Sequence, residues 1–297
     1  MRKIIEHFKK LSPKDFKILN AVERGMARHE YVPVEEISKL SGVSLKEIMS
    51  RTKVLNEMGL IQRQKGTYVG YSLTTWGYDC LALNALVKRG VLKAIKLKPL
   101  GIGKESDVYE GLSTSGERVA VKFHRLGRVS FRKTRRVRAY IGDRRHISWL
   151  YQARLAATNE FEALLILYPR KVSVPRPIYH NRHVVVTSLI EGIPLFEVPP
   201  LDDPMKVLKG ILFNIKVAYE TGVVHGDMSE YNVIIKRGED VVLIDWPQWV
   251  PSNHPSAEFL LRRDIDHLTK FFRRKYGVTI SVEEAINTII SERARGT

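Results

Sequence analysis

The sequence predicts an α+β protein with two parts, a small helical part followed by a larger part in which strands come before helices. Up to about residue 90, segments of helical period alternate with polar turns and end in two strand-like runs. From about residue 98, strands come first and helices later, which is typical of a two-lobed α+β domain. The chain has 297 residues, 44% of them hydrophobic, which is enough for two packed cores.

The first part contains a helix whose N-terminus Ser12 is expected to cap. Pro13 then lies in the first turn of this helix. The stretch "SGVS" then separates two further helices. Gly42 suits the end of the first of them, because glycine readily adopts the left-handed backbone conformation found there. Ser44 and Glu47 have the spacing of a capping box and predict the start of the second.

A β-hairpin follows, with its turn at Lys65 and Gly66. This order of three helices and a hairpin predicts a winged helix-turn-helix over residues 1–90. Its expected recognition helix (44–58) and hairpin carry basic side chains that could reach the phosphates and a groove of a nucleic acid. These residues are Lys46, Arg51, Lys53, Arg63 and Lys65. The same pattern also fits a winged helix that docks a protein.

The composition favours an intracellular protein with phosphate-rich partners. The net charge is +17, which biases encounters toward nucleic acid, although a uniformly basic surface would also account for it. Cys80 is the single cysteine, which excludes an intramolecular disulfide and a cysteine-based metal cluster, and we expect it in the core. There is no secretory signal pattern and no membrane-length apolar run, so we expect a cytoplasmic location without membrane contact.

The segment "GIGKESDVY" opens the larger part with a glycine-rich turn. Gly101 and Gly103 allow phosphate oxygens to come close to backbone amides. Ser106 stands where a third glycine would complete a G-x-G-x-x-G motif, and Val108 follows it. A plain hairpin turn would explain this segment equally well.

The strand "VAVKFH" is expected to point Lys122 inward and Val121 the other way. A buried ammonium needs a phosphate or a carboxylate beside it. We expect Glu160 of the next long helix as that carboxylate, with Glu162 as the alternative, because three apolar residues mark the buried face beside Glu160. These residues are Phe161, Leu164 and Leu165. An edge strand with a solvated lysine is the other interpretation.

The loop "HGDMSEYN" (225–232) and the strand "VVLID" place Asp227, Asn232 and Asp245 in a characteristic order. This order resembles the protein-kinase catalytic loop H-R-D-x-x-x-x-N followed by D-F-G. Phosphoryl transfer needs a carboxylate that orients the nucleophile and hard oxygen ligands for Mg²⁺. We therefore predict a site for ATP and Mg²⁺, with Mn²⁺ as an alternative metal.

The motifs "GKESDVYEG", "VAVKFHRLGRVSFR", "HGDMSEYN" and "LIDWPQW", behind a winged helix, resemble the RIO family of atypical serine/threonine kinases, and most closely its second subfamily. The resemblance implies a two-lobed ATP-binding fold without an activation loop. It also implies a role in late maturation of the small ribosomal subunit, near its rRNA. ATP hydrolysis through a phospho-aspartate on the metal-binding Asp is then expected more than steady phosphorylation of a protein.

The resemblance also implies residue roles. Lys122 would pair with the α/β-phosphates and Glu160, Asp227 would be the catalytic base, and Asn232 and Asp245 would hold Mg²⁺. Ser188 C=O and Ile190 N–H would meet adenine. The other expected cofactor-binding residues are Gly101, Gly103, Lys104, Glu105, Ser106, Val108 and Ala120. Gly226, where many members have another residue, is expected only to loosen the loop.

The expected domain boundaries follow from these motifs. They are a winged helix at 1–90, a linker at 91–97 and a RIO kinase domain at 98–297, with an N-lobe at 98–187, a hinge at 188–193 and a C-lobe at 194–297.

A basic insert at 125–146 holds many arginines. Phe131 and Tyr140 are interspersed between them, and Asp143 offsets little of the positive charge. This composition predicts a flexible segment that contacts RNA, although a solvated loop also fits. Two other functions fit parts of the sequence, a small-molecule phosphotransferase and a nucleic-acid-binding regulator with an inactive kinase fold. The winged helix and the insert count against the first, and the filled catalytic positions against the second.

Overall fold

The computed structural model describes residues 1–66, 68–125 and 149–290, with Lys65 described only in its backbone. The described residues fall into two compact units. The first contains residues up to 117 together with 125 and 149–153, and the second contains 118–124 and 154–290. No helix in the described part of the chain is long and apolar enough to cross a membrane.

The first unit holds the N-terminal helices and hairpin and a further pair of strands. Its elements are α1 (Arg2–Lys10), α2 (Pro13–Gly25), β1 (Val32–Pro33), α3 (Val34–Ser41), α4 (Leu45–Glu57), β2 (Ile61–Lys65), β3 (Val69–Leu73), α5 (Thr75–Lys88), β4 (Ala94–Ile102) and β5 (Ser106–Leu112).

The helix ends form largely as the sequence predicts. Ser12 caps α2 in a full capping box with Asp15. Gly42 ends α3 with a φ of 68°, as expected for a left-handed cap. At α4, Ser44 Oγ accepts from the N–H of Glu47, but the Glu47 carboxylate also binds Lys14 Nζ at 2.5 Å.

The hairpin and β1 form a three-stranded antiparallel sheet in the order β1-β3-β2. The predicted winged helix-turn-helix architecture is therefore confirmed. Strand β4 pairs antiparallel with β5, and its first four residues (94–97) lie in the segment expected as a linker. The turn between β4 and β5 is the glycine-rich one.

The second unit contains three small antiparallel sheets and the C-terminal helices. Its elements are β6 (Arg118–His124), α6 (Trp149–Leu167, from residue 154), β7 (Pro177–Asn181), β8 (Val184–Ser188), β9 (Ile193–Pro194), α7 (Pro204–Glu220), β10 (Val223–Val224), β11 (Val233–Ile235), β12 (Val241–Leu243), β13 (Val250–Pro251), α8 (Ala257–Tyr276) and α9 (Val282–Ile290). The sheets are ordered β6-β8-β7, β9-β11-β12 and β10-β13.

Helices α7, α8 and α9 bury a core against β10, β11 and β12. Ile211, Leu243 and Phe272 are fully buried within it. The loop from β10 to β11 contains the "HGDMSEYN" motif, and β12 leads into Asp245. The polar residues of these motifs thus lie at strand ends and in loops that the packed core holds in place. The predicted α+β class is confirmed, although strands β10 to β13 follow α7 and only α8 and α9 come after all the described strands.

Two expectations about side-chain direction were wrong. Val121 is fully buried, because both faces of β6 are covered and not only the face of Lys122. Leu165 is 52% exposed, so the buried face of α6 runs instead through Ala157, Glu160 and Leu164.

Candidate functional site

Lys122 lies on β6 with its ammonium group between two carboxylates of the second unit. Its Nζ atom is 2.8 Å from Glu160 Oε1 and 2.7 Å from Asp245 Oδ1. Glu160, the preferred partner, is therefore the one that pairs with Lys122, whereas Glu162 is exposed. Three residues separated by up to 123 positions in the sequence thus form one ion cluster.

The electrostatics of this cluster favour the charged forms of Lys122 and Glu160. Burial by itself would lower the pKa of Lys122, but Asp245 and Glu160 outweigh it and raise that pKa. Burial likewise opposes ionisation of Glu160, yet Lys122 and His124 keep the pKa of this carboxyl well below its usual range. An ammonium group that is held in place and largely shielded from water is suited to bind phosphate oxygens.

His124 is a contact that the sequence interpretation missed. Its Nε2 atom lies 2.8 Å from Glu160 Oε2, in a geometry poor for a hydrogen bond, and its side chain is 2% exposed. It follows Lys122 by two positions on the same strand, so both point to the same face. This spacing of two residues on one strand was the sequence signal that could have identified His124. The two oxygens of Glu160 are thus divided between Lys122 and His124.

Asn232 connects the catalytic-loop motif to the strand that leads to Asp245. Its Nδ2 group donates to the backbone O of Asp227 at 2.8 Å, and its own backbone O accepts from Ile244 N–H at 3.0 Å. Strands β11 and β12 pair antiparallel directly beside it. Asn232 is buried while Asp227 is exposed, so the loop presents the Asp227 carboxylate outward.

Gly226 does more than loosen the loop, and that expectation was wrong. Its φ is 76°, and an added Cβ would lie 2.8 Å from the backbone O of Gln248. Its N–H donates to Asp264 Oδ2 at 2.8 Å, and its carbonyl accepts from the Arg263 guanidinium. Both the left-handed conformation and the close backbone approach require glycine here.

Asp264 holds this loop from α8. It accepts from the backbone N–H groups of Gly226 and Met228. Burial raises the pKa of Asp264 to about 6, although those hydrogen bonds and Arg263 act in the opposite direction. The sequence carried a signal for this residue, because Asp264 stands among Leu261, Ile265 and Leu268 on the apolar face of a helix.

His225, the first residue of the same loop, is buried in the neutral form. Its Nδ1 atom accepts from the N–H of Asp227, and its Nε2 atom lies 3.1 Å from the carbonyl O of Ile244. Its ring packs 4.4 Å from that of Trp246. Burial lowers the pKa of His225 to about 4.

The lowered pKa of His225 predicts a specific loss of stability in acid. The unfolded chain takes up this proton near pH 6.5, whereas the folded chain resists it until about pH 4. The contribution of His225 to the free energy of unfolding should therefore fall by about 3 kcal/mol as the pH drops through this window, and it should be fully present above pH 6.5.

Chemical denaturation at pH 7.0, 5.5 and 4.0 measures this contribution. His225→Gln should show a correspondingly smaller loss between pH 6.5 and 4. His267→Gln, which alters an exposed histidine in the same unit, should follow the parent chain. Equal pH slopes for all three proteins would contradict the prediction.

Asp245 occupies a left-handed backbone conformation, with a φ of 69°. Such a conformation is costly for a residue with a Cβ, although Asp and Asn tolerate it best. The conformation sits at the junction between β12 and Trp246, where it turns one carboxylate oxygen toward Lys122. The side chain of Asp245 is 39% exposed.

The glycine-rich turn (residues 101–106) lies in the first unit, between β4 and β5. Gly101 is the last but one residue of β4 and pairs with Val108, and Gly103 N–H donates to Ser106 O at 2.8 Å. Lys104 and Glu105 are exposed at the tip. The roles assigned to these residues in phosphate binding stay predictions.

The expected hinge begins at the end of β8. Ser188 N–H donates to Arg176 O at 2.9 Å. Within the described ranges, the N–H of Ile190 has no hydrogen-bond partner, so it is available to an acceptor. Ala120 pairs with Thr187 of β8 on the neighbouring strand and is half-buried.

One of the basic residues expected to contact nucleic acid has another function. Arg51 binds the fully buried Asp15 with two hydrogen bonds of 2.7 and 2.6 Å, and contact of Arg51 with a nucleic acid stays a prediction. Lys46, Lys53 and Arg63 are exposed as expected. The Lys65 side chain and, apart from Arg125, the basic insert at 125–146 lie outside the described residues.

No group of three or more His, Cys, Asp or Glu side chains in the described ranges could by itself hold a metal ion. This is compatible with Mg²⁺, which proteins usually bind through one or two side chains together with substrate phosphates and water. Asn232 and Asp245 supply hard oxygen atoms of the required kind. Asp245 uses Oδ1 to bind Lys122, so its second carboxylate oxygen can face a cation.

Comparison with known proteins gives the family. The model of the RIO domain matches residues 107–285, and the model of the Rio2 N-terminal domain matches residues 8–89. The chain belongs to the RIO family. Its combination of an N-terminal Rio2 domain with a RIO domain is the arrangement that the sequence motifs indicate.

Individual relatives agree with this assignment. The chain is 43% identical to the RIO-type serine/threonine-protein kinase Rio2 of Methanocaldococcus jannaschii, over 84% of this chain and 92% of that relative. It is 39% identical to the serine/threonine-protein kinase rio2 of Dictyostelium discoideum, over 90% of this chain but only 51% of that relative.

A solved RIO structure also resembles this one closely. It is the crystal structure of the Rio2 kinase–ADP/Mg²⁺–phosphoaspartate complex from Chaetomium thermophilum, with a TM-score of 0.83 at 32% identity. The similarity covers 96% of this chain and 88% of that chain.

Proposed function

We propose that the chain is an ATP-dependent atypical serine/threonine kinase and ATPase that uses Mg²⁺. The observation that carries this proposal is the ammonium of Lys122, held at 2.8 Å from Glu160 and 2.7 Å from Asp245. Kinases pair a strand lysine with a helix glutamate and with the nucleotide phosphates, and they use a separate aspartate for the metal. The kinase names of the relatives support the same activity.

The residues of the second unit fit a magnesium-bound nucleotide. Lys122 is positively charged and can contact phosphate oxygens, and Asn232 and Asp245 offer hard oxygen ligands. Mg²⁺ held by these residues would supply positive charge that neutralises the phosphates. The complex of the Chaetomium relative with ADP and Mg²⁺ supports this assignment.

We assign the remaining steps to the loop residues. The exposed Asp227 carboxylate would accept the proton of the attacking hydroxyl or water, while Asn232 fixes the Asp227 backbone. The phosphoaspartate of the Chaetomium relative supports a cycle in which a carboxylate of the site accepts the γ-phosphoryl group as ADP leaves. We propose Asp245 as that carboxylate.

We further propose that this activity serves maturation of the small ribosomal subunit in the cytoplasm. The support is the family resemblance together with the net charge of +17. Exposed Lys46, Lys53 and Arg63 on the N-terminal domain add phosphate-binding capacity. An rRNA partner fits these features better than a small molecule does.

Removal of magnesium tests the proposed activity. The purified chain should bind ATP and release inorganic phosphate in the presence of Mg²⁺, and both should fall to background when EDTA removes the metal. Calorimetric titration with ATP and a phosphate-release assay measure the two quantities, and re-addition of Mg²⁺ should restore both. Failure to bind ATP at millimolar Mg²⁺ would contradict the proposal.

A further inference from the structure

Arg125 is a buried arginine that links the N-terminal domain to the glycine-rich turn. Its side chain is 4% exposed, and its guanidinium contacts two buried carboxylates. NH1 and NH2 lie 2.5 and 3.0 Å from the two oxygens of Asp79, and Nε lies 3.0 Å from Asp107 Oδ2. All three residues belong to the first unit.

The pairing with Asp79 is bidentate, which fixes both the orientation and the position of the guanidinium. Asp79 lies on α5 of the N-terminal domain and is fully buried. Buried charges of this kind persist only in mutual contact, because each would pay a large desolvation cost alone. Helix α5 therefore determines where Arg125 can lie.

The backbone of Arg125 reaches the glycine-rich turn directly. Its N–H donates to the carbonyl O of Glu105 at 2.6 Å. Its side chain contacts Asp107, which follows Glu105 by two residues. One residue thus holds the C-terminal side of the turn at two points, through a main-chain and a side-chain contact.

The tip of the turn is exposed to solvent. Gly103, Lys104 and Glu105 are exposed, and the main hydrogen bond inside the turn joins Gly103 N–H to Ser106 O. An exposed turn has low local stability, so contacts that hold its ends influence its conformation.

We propose that Asp79 is a positioning residue that sets the conformation of the glycine-rich turn through Arg125. The N-terminal domain thereby controls the affinity of the chain for nucleotide. This inference rests on the proposed function, because it assigns the turn to phosphate binding. A partner that displaces α5 would change nucleotide affinity, and nucleotide would change the affinity for that partner by the same factor.

A purely structural ion pair makes a different prediction. Loss of such a pair lowers the stability of the first unit but leaves the turn and the nucleotide affinity unchanged. The chain offers a matched control, because Asp15 is another fully buried aspartate of the N-terminal domain that binds an arginine in bidentate fashion. Asp15 contacts Arg51 and not Arg125.

The experiment compares Asp79→Asn with Asp15→Asn in the full chain. Hydrogen exchange of peptides covering residues 101–108 is measured without nucleotide, and the Kd for ATP with Mg²⁺ is measured by calorimetry. For Asp79→Asn we expect faster exchange in the turn and a Kd raised about fivefold or more, within the usual range of coupling between sites. For Asp15→Asn we expect both to match the parent chain, with a similar fall in Tm.

Equal exchange in the turn for the two variants would overturn the inference, whatever the nucleotide result. Faster exchange for Asp79→Asn alone supports the positioning role of Asp79 even if the parent chain fails to bind ATP, in which case the proposed function and the control of nucleotide affinity are lost. Arg125→Lys provides a second variant that keeps the charge and the backbone N–H but not the bidentate geometry. It should raise exchange in the turn less than Asp79→Asn does, and a larger effect would count against the role of Asp79.

Discussion

Replacement of Asp245 by alanine is expected to reduce ATP turnover by about 10²- to 10³-fold, the usual cost of removing one electrostatic group from a catalytic centre. The carboxylate is expected to hold the metal, and it also binds Lys122 at 2.7 Å. The variant removes both functions. Phosphate release at saturating ATP and Mg²⁺ measures the effect.

Asp245→Asn separates the chemical effect from the backbone effect. Asparagine tolerates the left-handed conformation that Asp245 adopts at a φ of 69°, so this variant keeps the local fold while it removes the charge. It should lose turnover nearly as strongly as the alanine variant. Asp240→Ala changes an exposed aspartate just before β12 and should leave turnover unaltered.

Binding to small-subunit rRNA should survive in Asp245→Ala, because the basic residues assigned to RNA lie elsewhere in the chain. A filter-binding or gel-shift assay with the same protein preparations checks this. Unchanged turnover in both Asp245 variants would remove the assignment of the chain as an enzyme that acts through this site.

Local features of the fold could be predicted from the sequence because their causes are local. Ser12 and Gly42 act on helix ends within a few residues of themselves, and both behave as expected. The choice of Glu160 over Glu162 was also sound, because helical spacing decides which of two nearby side chains faces a buried strand.

The missed features depend on contacts between distant segments. Arg51 carries the same charge as Lys53, and only the fold shows that it pairs with an aspartate 36 positions away. Arg125 and Asp79 are 46 positions apart. In both pairs, however, the aspartate stands in a helix with many apolar residues, and such an isolated acid is a usable sign of a buried ion pair.

The conformation at Gly226 also depends on a distant segment. The backbone carbonyl of Gln248, which lies close to Gly226, comes from another part of the chain. No local pattern distinguishes this glycine from one in an ordinary loop. The structure nevertheless gives a quantitative expectation, because the conformational and the steric costs of a side chain at this position can be measured separately.

Gly226→Ala is expected to lower the free energy of unfolding by about 2–5 kcal/mol. A left-handed alanine costs about 1–2 kcal/mol relative to glycine, and overpacking costs about 1–3 kcal/mol more. The second cost arises because the new Cβ would lie 2.8 Å from the backbone O of Gln248, which cannot rotate away as a side chain does. Chemical denaturation measures the total.

Gly238→Ala isolates the first of these costs. Gly238 has a φ of 80° and no atom within 4 Å of an added Cβ, so alanine there meets the conformational cost without the clash. It should lose only about 1–2 kcal/mol. An equal loss in the two variants would show that the contact with Gln248 relaxes at no cost.

ATP turnover should distinguish the two variants even more clearly than stability. Relief of the clash must move residues 225–227 away from Gln248, and this displaces the hydrogen bonds that Asp264 and Arg263 make to the Gly226 backbone. Asp227 is the next residue, so its carboxylate moves with them. We therefore expect Gly226→Ala to lose turnover at temperatures where it remains folded, while Gly238→Ala keeps it, because positioning errors of about 1 Å at a catalytic group cost as much as 10²-fold in rate.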